Sequence, residues 1–106
     1  TYELPENPST SVKYSDFIPL NIKLFSNYPN PFNSTTKIRW QSSSEGHTKL
    51  EVFDMLGRKV KTLVDEKKMP GDYIVNFETK ELPSGIYFYQ LKVENYIITQ
   101  KMVLLK

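Results

Sequence analysis

The chain has 106 residues, with 14 basic and 12 acidic side chains and a formal net charge of +2. A fold this small holds one core, not a core, a catalytic cleft and a lid together, which counts against an enzyme. Evenly spread charge argues against nucleic acid as a partner, the absence of cysteine removes disulfides, thiolate zinc and cysteine catalysis, and no apolar run reaches the roughly 18 residues of a membrane span.

Residues 1–23 carry Pro5, Pro8 and Pro19 among Ser, Thr and Asn, and read as a linker or the end of a preceding domain. Val12, Tyr14, Phe17 and Ile18 are candidates for docking on something else. Thr1 to Pro5 has no basic-then-apolar leader, so an exported protein would make this chain a piece of a longer precursor.

From residue 24 to 106 the pattern changes to period two. A short strand is expected around Leu24-Phe25. Thr36, Ile38 and Trp40 then share one face, and Leu50 and Val52 alternate with Lys49 and Glu51. Arg58 to Val64 alternates less cleanly. Tyr73 to Phe77, Ile86 to Val93 and Tyr96 to Leu105 complete seven short strands rich in β-branched and aromatic residues. Turn chemistry separates them: Glu45-Gly46, Gly57 after Asp54-Met55-Leu56, Pro70-Gly71 with a type II signature, Pro83-Ser84-Gly85, and a Glu94-Asn95 hairpin. No helical period appears. The expected fold is an all-β, immunoglobulin-like antiparallel β-sandwich of about seven strands. Its core is drawn from Trp40, Leu50, Val52, Val75 or Ile74, Tyr87, Tyr89, Leu91 and Met102.

Candidate chemistry is sparse. His47, the only histidine, falls in the expected hairpin loop beside Gly46 and reads as solvated. Asp54, Asp65, Glu66, Asp72, Glu78 and Glu81 fall mainly at turns and predict no paired carboxylates across a cleft. A loop calcium site from Asp65, Glu66 and Asp72 lacks the EF-hand pattern. Ser42 to Ser44, Thr35 and Thr36 have no base partner, and Lys67-Lys68 reads as a solvated turn pair. Asn33-Ser34-Thr35 matches a glycosylation triplet that is common by chance. No catalytic, cofactor or metal residue is assigned.

Four blocks carry a resemblance. Asn27-Tyr28-Pro29-Asn30-Pro31-Phe32-Asn33, leading into Thr35-Thr36-Lys37-Ile38, is the first. Val52-Phe53-Asp54-Met55-Leu56-Gly57-Arg58-Lys59-Val60 is the second. Leu82-Pro83-Ser84-Gly85-Ile86-Tyr87-Phe88 and Lys101-Met102-Val103-Leu104-Leu105-Lys106 follow. In this order they resemble the type IX secretion C-terminal sorting domain (type A), whose sandwich is similar to the immunoglobulin-like domain of the flagellar hook-capping protein. The first block departs from the family pattern, in which a proline often follows, by carrying Ser34.

The resemblance implies a domain at the extreme C-terminus of a secreted Bacteroidetes-type protein, behind an upstream cargo domain. Lys106, directly after the last strand, is expected to be a natural C-terminus. The implied partners are an outer-membrane secretion apparatus and a sortase-like peptidase that removes the domain and links the cargo to surface lipopolysaccharide. The implied route runs through the periplasm to the medium or cell surface.

Pro29, Asn30, Pro31, Gly57, Gly85, Tyr87, Lys101, Val103 and Lys106 are the motif and recognition candidates. Pro29 and Pro31 fix φ and remove two donors, while Lys101 and Lys106 flank an apolar last strand. Thr99 to Lys106 is expected to be the part that is read. The alternatives are a structural spacer or a carbohydrate-binding accessory module of a larger extracellular enzyme.

Overall fold

Side-chain alternation sets the strands. The computed structural model describes residues 21–106, and the expectations for residues 1–20 lie outside that range. The strands are β1 (Ile22–Leu24), β2 (Thr35–Ser42), β3 (Gly46–Phe53), β4 (Lys59–Lys68), β5 (Gly71–Glu78), β6 (Gly85–Val93) and β7 (Tyr96–Leu104). In β2 the residues Thr36, Ile38, Trp40 and Ser42 are buried and their neighbours face outward, and β3 and β6 repeat the pattern.

Two antiparallel sheets result, a three-stranded one ordered β1-β2-β5 and a four-stranded one ordered β4-β3-β6-β7. This is the expected all-β sandwich. Ile38, Trp40 and Phe77 from one sheet meet Leu50, Val52, Tyr89, Leu91, Met102 and Leu104 from the other. Each such side chain contributes about 1.5–3 kcal/mol against the entropy of ordering the chain. The two core tyrosines satisfy their hydroxyls locally. Tyr89 donates to the Phe25 carbonyl at 2.7 Å, and Tyr87 donates to the Pro83 carbonyl at 2.7 Å.

Several details differ from the sequence reading. The first strand is centred on Lys23, because Ile22 and Leu24 both point into the core. Of the pair left open, Val75 packs against the core, whereas Ile74 is 60% exposed. Pro70-Gly71 is not a type II turn. Gly71 has φ 156° and opens β5 opposite Ser42, since the chain is passing from one sheet to the other at this point.

The same applies between β2 and β3, which lie in different sheets, so no hairpin joins them. His47 is therefore a strand residue of β3, exposed, with its Nε2 2.6 Å from Asp65 Oδ1. Asp65, Glu66 and the Lys67-Lys68 pair are strand residues too, because β4 runs four residues beyond Val64. Register shifts at Leu50/Glu51 and Val52/Phe53 break the alternation there. Lys67 pairs with Glu45 at 2.7 Å and Lys68 with Glu66 at 2.8 Å.

Candidate recognition surface

The segment between β1 and β2 contains two prolines, so its carbonyls and the few remaining donors need partners from elsewhere. Asn27 supplies them. It is buried, and its amide donates to the Pro29 carbonyl and to Thr36 Oγ1, both at 3.0 Å. Thr36 in turn donates to the Pro29 carbonyl at 2.8 Å. Tyr28 and Lys37 exchange main-chain hydrogen bonds at 3.0 and 2.9 Å. Both X–Pro bonds, Tyr28-Pro29 and Asn30-Pro31, are cis.

The segment then reaches the other sheet. Phe32 enters the core against Phe77, with ring centroids 6.3 Å apart. Its N–H donates to the Val103 carbonyl at 3.0 Å, and its carbonyl accepts from Leu105 at 2.8 Å. Asn30 Oδ1 accepts the Val103 N–H at 3.0 Å. The first and last sequence blocks are thus joined along the outer edge of β7. Pro29 and Pro31 are exposed beside this seam.

The second block forms the β3–β4 turn. Asp54 Oδ1 accepts the N–H of Leu56 at 2.9 Å and of Arg58 at 3.0 Å, and Oδ2 accepts Arg58 Nε at 2.8 Å. The Arg58 N–H bond, with the guanidinium, holds the Asp54 carboxyl below its ordinary pKa. Gly57 has φ 81°, a left-handed conformation that side chains resist, and its N–H closes the turn on the Asp54 carbonyl at 3.0 Å.

Beside that turn sits the third block. Gly85 opens β6 opposite Leu104, and Tyr87 is buried opposite Met102. Between the second and third blocks runs a groove of about 400 Å³, lined by Met55, Leu56, Val60, Leu82, Ile86 and Tyr87 among others. The fourth block closes the same end: the Lys106 N–H donates to Ser84 Oγ at 2.9 Å and its Nζ to the Lys80 carbonyl at 3.0 Å. Lys101 is exposed on β7, opposite Phe88.

Antiparallel pairing is what gathers these pieces, because the end of β3, the start of β6 and the end of β7 coincide. That end displays Met55 (66% exposed), Leu56 (76%) and Leu105 (57%). Asn27, Phe32 and Thr36 escaped the sequence reading as determinants. The signal for Thr36 was its place on the apolar face of β2, but Phe32 lies in a proline-rich stretch with no period at all.

No group of three or more His, Asp or Glu positioned to hold a metal occurs among the described residues. No helix among them is long and apolar enough to cross a membrane. The four sequence blocks of the sandwich meet at one exposed end, with a groove between the second and third. The chain is a member of the secretion system C-terminal sorting domain family, whose model matches residues 26–105. The matched span takes in the first three blocks, the fourth as far as Leu105, and strands β2 to β7. It makes this a type IX secretion sorting domain, which implies a route to the outside of the cell. A comparison with curated proteins finds no match.

Proposed function

We propose that the domain acts as a non-catalytic address: it directs the protein that carries it from the periplasm across the outer membrane, where the type IX apparatus reads it. On this reading a sortase-like peptidase then separates it from the upstream cargo, which is released or held at the cell surface. The observation that carries the proposal is the convergence of the four blocks on one end of the sandwich. Residues as distant in sequence as Asn30 and Val103 are bonded there, under an exposed apolar rim.

Within that surface the motif residues divide by what they touch. Gly85 and Tyr87 line the groove and Gly57 sets the turn beside it, whereas Asn30 and Val103 fasten the seam. Pro29, Pro31 and Lys101 offer their side chains outward, whereas Lys106 Nζ is tied to the Lys80 carbonyl. The stretch from Thr99 in β7 to Lys106 is the element read, with the rim beside it.

Deleting Val103 to Lys106 is a poor test, because Leu104 is fully buried and the truncated domain loses core. Met55→Glu and Leu56→Glu alter only the rim. Export of the full precursor carrying both substitutions is expected to fall, with periplasmic accumulation of folded protein. Undiminished secretion of that precursor would count against the rim as the surface that is read.

A further inference from the structure

The sandwich has four edge strands, and they are not equally defended. β1 has only three residues, and six of the ten residues of β4 are charged. β5 carries Asp72 near one end and Glu78 at the other. β7 is nine residues long and has a single charge, Lys101. Charge and shortness are how edges avoid unwanted pairing, so β7 is the exposed edge left open to it.

Only part of that edge is free. The β6–β7 register is unbroken from Gly85↔Leu104 to Val93↔Tyr96, so main-chain groups alternate strictly between β6 and the outside. Val103 points its N–H and carbonyl outward, and both are taken by Asn30 and Phe32. By the same parity Ile97, Thr99 and Lys101 present their N–H and carbonyl groups outward. No intramolecular main-chain partner takes them among the described residues.

The charge around this window has one sign. Neither β6 nor β7 contains an acidic residue, and Lys92 lies directly opposite Ile97. Lys92 and Lys101 take no part in an ion pair among the described residues. Glu94, in the hairpin, is turned away to accept the His47 N–H.

We infer that the edge of β7 from Ile97 to Lys101 takes an added strand from its partner, an extended acidic segment of the secretion apparatus. Its main chain pairs with the outward groups of Ile97, Thr99 and Lys101, and carboxylates on alternate residues face Lys92 and Lys101. The Asn30–Phe32 seam ends the ladder at Val103 and so fixes the register of the incoming strand. This inference rests on the sorting role proposed above.

Thr99→Pro tests it selectively, since proline removes an outward N–H and leaves the β6–β7 ladder intact. In a type IX-competent host, a reporter bearing a signal peptide and residues 1–106 is scored for surface display. Thr99→Pro is expected to lower display at least about tenfold, or about 1.4 kcal/mol of binding, whereas Thr99→Val, which keeps the N–H, does not. Display of Thr99→Pro at the unsubstituted level overturns the edge inference while leaving the sorting role standing. Retention of the unsubstituted fusion in the periplasm instead overturns the sorting role itself.

Amide exchange on the unmodified chain covers the case in which the proline variant misfolds. A synthetic peptide of alternating valine and glutamate is expected to slow exchange at Ile97, Thr99 and Lys101, and its valine–lysine counterpart is not. Equal slowing by both peptides, or by neither, overturns the inference. So does a dimer in light scattering whose pairing Thr99→Pro abolishes, because that assigns the edge to a second copy of this chain.

Discussion

Asn30 and Val103 stand 73 positions apart and share a 3.0 Å hydrogen bond, from the Val103 N–H to Asn30 Oδ1. A side-chain oxygen thereby supplies the acceptor for an outward N–H at the edge of β7. Asn30→Ala removes the acceptor and is expected to cost about 0.5–1.5 kcal/mol in urea denaturation, with Asn30→Asp restoring most of it. An alanine variant as stable as the parent would mean that water replaces the side chain without loss.

Gly46 is confined by a neighbour and not by its own backbone. A Cβ placed there would lie 2.6 Å from Glu94 Cγ, and Glu94 is held in place by donating its N–H to the His47 carbonyl at 3.0 Å and accepting the His47 N–H on its carboxylate. Gly46→Ala is expected to destabilise by about 1–3 kcal/mol, as overpacking does. In a Glu94→Ala background the penalty shrinks, so a double-mutant cycle returns a coupling energy of matching sign. Simple additivity would remove steric conflict as the cause.

Gly57 presents the opposite case, with open space around it and φ 81°. Gly57→Ala is expected to cost about 1 kcal/mol by equilibrium unfolding, and Gly57→Asn less, because asparagine tolerates the left-handed region. Equal losses for the two would show that the turn relaxes.

Burial pushes the Tyr89 hydroxyl up to about 12. The unfolded chain releases that proton near pH 10, and the folded chain holds it to about pH 12. Between those values the unfolded state binds fewer protons, so stability falls as pH rises, by about 2–3 kcal/mol in total. Tyr89→Phe loses the bond to the Phe25 carbonyl but is expected to flatten this alkaline limb. Parallel limbs for parent and variant would place the titrating group elsewhere.

The strands were legible because each buries one face. Thr36, Ile38 and Trp40 on β2, and Tyr87, Tyr89 and Leu91 on β6, alternate with outward neighbours, and period two records that directly. Which sheet a strand joins leaves no such trace. A turn that reverses direction within a sheet and one that crosses between sheets use the same residues, so His47 was expected in a hairpin that does not exist. The far half of β4 was hidden for another reason: Asp65 to Lys68 is an edge stretch whose charges read as a turn.

The recognition surface was legible as four blocks but not as a place. Their meeting depends on antiparallel register and on Phe32, an apolar residue whose burial only the tertiary fold decides. Asn27 is similar, since a buried amide among prolines has no periodic signature. Sequence therefore identified the pieces, and packing supplied their common end.

The most direct measurement asks whether this domain is a sufficient address. Residues 1–106 are fused behind a signal-peptide-bearing reporter in a type IX-competent host, and protease accessibility on intact cells is compared with that of the reporter alone. Appearance of the fused reporter outside the outer membrane, lost when the secretion apparatus is disabled, is the predicted result. A folded fusion that stays in the periplasm of the competent host would contradict it.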